Sequence, residues 1–434
     1  MNLQKYKHIS KETFVLFIVY VVVFLFCILS DPLYSPDTYS YLMAMPFRQL
    51  GYVIFIKTFS FIFGSLFDVA VVSVHTVFSL FAVHFFYKKV SAIFSLKALY
   101  KLVVIAILLF PFFPPLSIAN NICSEGLGYG LYLLFVAIGL DLLFNNKKEH
   151  LKYYVIVYLG LIFIRSQFIF STLIFAGVYF LMFRKSILKR KHIFHILVLC
   201  GVILVASATE RTYHKLKDGF FKPTPLGYTS ASTAPIYVSD ITDYSLIEQK
   251  DYQEILKISY DTLIKKDLLL KPNNSLKEDY LFFHNNLPKI CNQTVREQAI
   301  DYYISKELPS NLSQKQARSY PFFESEAACK VYTMTLIKDN FSKWIQLYYT
   351  NITHGFYSPF VFLFVILLFL FSLIKTLFSC QKNYAILFLL SSLILSNALF
   401  IAFASHSIMR YLFYNYALLF LLFIGTLKLF KRER

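Results

Sequence analysis

The sequence predicts an all-α polytopic membrane protein, with about ten transmembrane helices, interfacial helices in its first outer loop and a mainly helical extracytoplasmic insertion. Three observations predict it. Of 434 residues, 57% are hydrophobic and 19% aromatic, with only 16% charged, a balance that ordinary soluble domains do not have. The apolar residues fall in long blocks, and about 20 helical residues span a hydrocarbon core of roughly 30 Å. The lysines and arginines gather at the ends of those blocks that the positive-inside rule assigns to the cytoplasm.

The first block, 14–30, is read as a span rather than a signal peptide, because Asp31-Pro32 follows it where a small-residue cleavage site would stand. The first outer loop, 31–67, comes next. Its stretch 50–66 carries Lys57 and has no basic flank on its far side, which suits a helix lying in the interface. Further spans are expected at 68–87, 102–119 and 125–144. The apolar stretch 153–183 would make one helix about 46 Å long. It has basic clusters at both ends (Lys147, Lys148 and Lys152; Arg184, Lys185, Lys189, Arg190 and Lys191) and is interrupted by Arg165-Ser166-Gln167. Two short spans, 153–164 and 166–183, turning at Arg165, keep both clusters on one side. Spans at 193–209, 357–376, 384–404 and 411–430 complete the set, with both termini cytoplasmic.

Three parts follow: an amino-terminal bundle (1–209), an extracytoplasmic insertion (210–355) and carboxy-terminal transmembrane helices (356–434). The insertion is too apolar and aromatic for a linker, and 245–270 and 296–308 within it read as helices of a small lobe. The cytoplasmic segments hold 21 cations against four acids, whereas the insertion holds 18 against 17. The net charge of +18 thus records topology and affinity for anionic lipid, not nucleic acid. Of the six cysteines, Cys291 and Cys329 fall in the insertion, where an oxidising compartment would allow a disulfide. No Walker loop, dinucleotide fingerprint, His-Glu-x-x-His, Gly-x-Ser-x-Gly or zinc-spaced cysteine set occurs.

The ionisable residues at the outer helix ends form the candidate site. Asp31, Asp37 and Arg48 lie in the first loop, Glu125 opens a span, Arg165 marks a turn, and His406 and Arg410 precede the last span. If helical, His406 and Arg410 are four apart and share a face. Each residue also has a structural role open to it: a helix cap for Asp37, a helix exit for Asp31, snorkelling for Arg48, a first-turn acid for Glu125. Tyr39, Tyr41 and Tyr52 suit an interfacial aromatic belt. Arginines near apolar helix ends suit a lipid phosphate, and a nearby carboxylate can serve as general base.

Several segments resemble the GT-C class of integral-membrane glycosyltransferases of the bacterial cell envelope, which use polyprenyl-phosphate sugars. They are the acid-bearing loop Pro36-Asp37-Thr38-Tyr39-Ser40-Tyr41-Leu42, the Arg-x-x-Gly-Tyr segment from Arg48 to Tyr52, Ser124-Glu125, Arg165, and Arg410-Tyr411. The resemblance implies an inverting transfer of a sugar to an envelope glycan, such as O-antigen or a lipid-linked acceptor, outside the cytoplasmic membrane. It implies Asp37 as base or acceptor-orienting carboxylate, with Asp31 as alternative, and Arg48, Arg165, Arg410 and His406 on the donor phosphate. Glu125, Tyr39 and Tyr41 would orient the acceptor. Thr38 stands where many members have a second acid beside the first, so a divalent metal stays open as a cofactor. An O-antigen polymerase or ligase, and a lipid-linked-glycan flippase, are the competing readings.

Overall fold

The fold was analysed in a computed structural model that describes residues 11–145, 149–270, 275–306 and 308–432, with side chains to Leu429. Of the charges counted above, Lys5, Lys7, Lys147, Lys148, Lys271, Glu307, Glu433 and Arg434, and the side chains of Lys431 and Arg432, lie outside that set. The described residues are almost entirely helical and contain no strand, only an isolated bridge between Leu33 and Asn121.

Among the described residues nine α-helices precede the lobe: α1 (Lys11–Leu29), α2 (Pro36–Leu42), α3 (Leu50–Phe63), α4 (Phe67–Ile93), α5 (Ala98–Leu109), α6 (Glu125–Phe144), α7 (His150–Ile164), α8 (Ser171–Phe183) and α9 (Arg190–Asp218). The lobe contributes α10 (Gly227–Ala231), α11 (Thr233–Val238), α12 (Lys250–Lys265), α13 (Leu276–Ile290), α14 (Glu297–Ser305), α15 (Gln314–Asp339) and α16 (Phe341–Gly355). The chain then returns to the bundle through α17 (Pro359–Ser379), α18 (Lys382–Ala404), α19 (Met409–Leu412) and α20 (Tyr416–Arg432).

Eight helical stretches among the described residues are long and apolar enough to cross a membrane, and α5 and α7 are shorter apolar helices. This is the pattern of an all-α polytopic membrane protein. Helix α6 forms the axis: 89% of its apolar window is buried, against 17% for α1 and 22% for α17. The peripheral helices therefore present Phe14, Phe17, Phe360 and Leu367 outward, as lipid-facing surfaces do and water-facing ones do not.

Two element ends differ from expectation. The span expected at 102–119 stops early, as α5 with a 3₁₀ turn over Phe110–Phe112. Pro111, Pro114 and Pro115 remove backbone donors and restrict the residues before them, so 113–124 leaves the helix. That segment lies along the first loop, where Leu33 N–H donates to Asn120 O (2.8 Å) and Ile122 N–H to Leu33 O (3.1 Å). Conversely, α9 passes the expected boundary at 209 and continues to Asp218. Residues 209–218 contain no breaker, and the helix ends only at Gly219, whose φ of 84° is the left-handed conformation a C-cap glycine supplies.

The lobe has its own core, including Ile255, Tyr260, Phe283, Val295, Cys329 and Tyr332. Helix α12 buries Ile255, Leu256, Ser259, Tyr260 and Leu263, the spacing of a one-sided amphipathic helix. Ser275 and Glu278 close the start of α13 reciprocally, and Ser313 and Gln316 do the same for α15. Cys291 and Cys329 are both buried and free, so they form no disulfide. The Cys291 thiol points instead at the Thr229 carbonyl (3.4 Å). The half-buried carboxylate of Glu326 accepts from the Tyr228 and Thr229 N–H groups and from the Thr229 hydroxyl, each at 2.8 Å, pinning α10 to α15. Glu326→Ala strands those donors and should cost about 1–3 kcal/mol, read as a lowered melting temperature of the purified protein.

Candidate functional site

Ser35 and Pro36 start α2, and the Ser35 N–H donates to Thr38 Oγ1 (3.1 Å). Asp37 is thus a first-turn acid, as a structural role would have it. Its side chain, however, is taken up by two guanidiniums, Arg48 at 2.5 Å and Arg410 at 2.9 Å. Arg48 also donates from Nε to Ser40 Oγ (2.6 Å), and its guanidinium lies 4.7 Å from the Tyr41 ring centre. Burial alone would raise the Asp37 pKa, but Arg48 and Arg410 outweigh it and hold the carboxyl below the ordinary aspartate range.

Glu125 opens α6 and is 2% exposed. Its Oε1 accepts from Arg165 Nη1 (2.9 Å) and from Arg410 Nε, while its Oε2 is buried with no hydrogen-bond partner among the described residues. Arg410 therefore bridges the two carboxylates. Five residues from four chain segments form one alternating row: Arg48, Asp37, Arg410, Glu125, Arg165. Arg165 sits between α7 and α8 in extended conformation, above the rings of Tyr411 (5.6 Å) and Tyr414 (5.9 Å). Its Nη2 donates to Gln167 Oε1 (2.9 Å), and Gln167 Nε2 donates to Asn397 Oδ1 (3.0 Å), which fixes it against α18. Space for the arginine comes from Gly128, where a Cβ would lie 2.8 Å from Arg165 Cγ.

The row includes Asp37, Arg48, Glu125, Arg165 and Arg410 and leaves out the rest of the expected set. Asp31 is exposed and forms no ion pair among the described residues. Tyr39 is also exposed and packs on Tyr34 (5.9 Å). Tyr41 is buried under Arg48, edge-on to Tyr52. His406 does not share a helix face with Arg410, because 405–408 is not helical and α19 begins only at Met409. Asn351 of α16 holds that segment open: its Nδ2 donates to Ala402 O and Ser405 O, and its Oδ1 accepts from the Ser407 N–H and the Tyr280 hydroxyl. His406 instead donates to His284 O (2.9 Å), in a cluster where the His284 ring lies 4.8 Å from His406 and 4.7 Å from His354.

One neighbour carried no sequence signal. Arg296 reaches over from the lobe to lie 4.7 Å from the Phe47 ring centre, opposite Arg48, whose guanidinium is 5.2 Å from the same ring. It forms no ion pair among the described residues, and burial together with the Arg48 charge lowers its pKa. Four arginines against two carboxylates leave a surplus of two positive charges in a largely desolvated place. Among the described residues no group of three or more His, Cys, Asp or Glu is placed to hold a metal, and both carboxylates of the row are already engaged by arginine. This donor set does not fit a divalent cation; it fits an anion with several acceptor oxygens.

Gly128→Ala should displace Arg165 and lower stability by about 1–3 kcal/mol, measured by thermal unfolding. Burial, then His406 and His354, push the His284 pKa down to about 4. The folded state therefore binds fewer protons than the unfolded chain, so stability is full above pH about 6.5 and falls toward pH 4. His284→Gln should flatten the melting temperature against pH across that window. Compared with family models, curated proteins and solved structures, the chain has no significant match.

Proposed function

We propose that this protein is an inverting, GT-C-like glycosyltransferase that moves a sugar from a polyprenyl-phosphate donor to a cell-envelope glycan on the outer face of the cytoplasmic membrane. The reading includes ten spans with both termini cytoplasmic, α5 and α7 being the two short ones. The observation that carries it is the row from Arg48 to Arg165, with Arg296 beside it and two positive charges uncompensated.

The chemistry asks for such a set. The acceptor oxygen bonds to the anomeric carbon, the carbon–oxygen bond to the phosphate breaks, and its electron pair goes to the leaving phosphate. That phosphate carries one negative charge as a diester and gains a second as it departs. A positive surplus in a low-dielectric place stabilises the departing form more than the bound donor, which is what accelerates the step. The acceptor proton goes to a carboxylate, and Asp37 is the one at the edge of the row. While Arg48 and Arg410 both hold it, its basicity is depressed. A donor phosphate competing for these two guanidiniums would release Asp37, so that the base is freed only when donor is bound.

Arg296 favours a second reading. A fourth guanidinium matches the second phosphate of a diphosphate-linked glycan, the donor of an O-antigen polymerase or ligase. A flippase is less well supported, because these charges stand at helix ends, whereas transporters bind near mid-depth.

With a radiolabelled polyprenyl-phosphate sugar and an envelope glycan, Asp37→Asn should cut transfer by about 10²–10⁴-fold, and Asp31→Asn should leave it near wild type. Full activity in a folded Asp37→Asn protein removes Asp37 as base. Transfer only from diphosphate-linked donors selects the second reading.

A further inference from the structure

The other end of the bundle carries a second, separate feature. Three pockets there neighbour one another, each sharing lining residues with the next. The first, of about 370 Å³, is lined by Lys88, Lys89 and Lys382 with Phe85, Ile93 and Asn145. The second, of about 320 Å³, shares Ile93 with it and runs between the end of α4, α18 and α20, past Lys428. The third, of about 220 Å³, shares Leu387 and Leu429 with the second and is bounded by Phe364, Leu367, Leu368 and Phe371 of α17. The composition changes along this path from lysine-rich to wholly apolar, apart from Thr426.

The charges do not cancel at the basic end. Lys89 pairs with the fully buried Asp141 (2.6 Å). Lys88 lies 3.5 Å from Glu12, which Lys101 already engages at 2.7 Å. Lys382 meets only the Phe144 carbonyl (3.3 Å) and ring (5.9 Å) among the described residues. Lys428 donates to the Phe94 and Ser95 carbonyls that end α4. Among the described residues Lys88, Lys89, Lys101 and Lys382, four lysines, thus stand against two carboxylates, Glu12 and Asp141. A row of snorkelling lysines needs neither a concave seat nor an apolar groove continuing from it. Basic pockets between helices at the lysine-rich end of a membrane protein suit acidic headgroups.

We infer that this is a binding site for one acidic phospholipid, with its headgroup phosphate at Lys88, Lys89 and Lys382 and an acyl chain running past Lys428 into the groove between α17, α18 and α20. Charge complementarity sets the headgroup class, and the apolar continuation sets a lipid apart from a free anion. The site shares no residue with the arginine row and stands whether or not the proposed transfer is correct.

The test uses the full chain in neutral detergent, with bound lipid counted by native mass spectrometry after titration with phosphatidylglycerol or phosphatidylcholine. Phosphatidylglycerol should be retained in preference, with one copy outlasting the others as detergent is exchanged. Lys88→Gln and Lys382→Gln should each weaken that copy about fivefold, while Leu367→Trp, filling the groove, should weaken it with the lysines intact. Lys89 is left unchanged because it neutralises buried Asp141. A phosphatidylglycerol bearing a photoreactive acyl chain should label α17 in the wild-type protein, a readout that needs no variant to fold. Equal retention of the two lipids, a preference that survives the double variant, or displacement of the lipid by millimolar inorganic phosphate would each overturn the assignment.

Discussion

Arg410 joins two carboxylates that would otherwise stand apart, and the arrangement around it depends on that bridge. Asp37 comes from the first loop and Glu125 from the buried start of α6; each has one arginine of its own, Arg48 or Arg165, and Arg410 is the one they share. Removing one partner of a buried pair costs about 3–5 kcal/mol, mostly because the other is left uncompensated. The position of Arg410 is set in turn by the non-helical turn before α19, which Asn351 ties to the lobe with three hydrogen bonds to Ala402, Ser405 and Ser407. The lobe therefore supplies Arg296 directly and helps to place Arg410 from outside the bundle.

Much of this was legible in the sequence, for identifiable reasons. Apolar runs of near-span length located the long apolar helices of the bundle among the described residues, because a helix facing lipid must be apolar along its whole length. Arg165 stood out because an arginine inside an apolar stretch needs a compensating partner, and Glu125 proved to be one. The prolines near 111–115 were readable as a helix stop, but hydropathy alone carried the expected span through them. The shared helix face of His406 and Arg410 does not form because α19 begins three residues after His406, and the contacts with Asn351 and His284 hold that segment out of the helix. Arg296 was illegible: it lies in a lobe helix among ordinary charged residues, and its placement beside Phe47 follows from how the lobe docks. The carboxamides Gln167 and Asn397 were passed over because isolated amides in apolar helices carry no spacing signal.

The two ends of the bundle divide their charges differently. At the lobe-facing end carboxylates and guanidiniums alternate, with short geometry and support from buried amides and tyrosines. At the other end lysines outnumber acids and mostly meet backbone carbonyls or one another's partners. Arginine suits the first because its planar fork keeps both charge and geometry when desolvated, and lysine suits the second because a flexible ammonium can follow a hydrated headgroup.

The row of charges also bears on how the protein is made. Asp37 and Glu125 enter the membrane region early in synthesis, whereas Arg410 leaves the ribosome hundreds of residues later. Until then the early helices hold two acids with only Arg48 and Arg165 against them. A nascent chain not yet carrying α19 therefore holds two separate ion pairs, Asp37–Arg48 and Glu125–Arg165, and the first loop gains its link to the start of α6 only when Arg410 arrives.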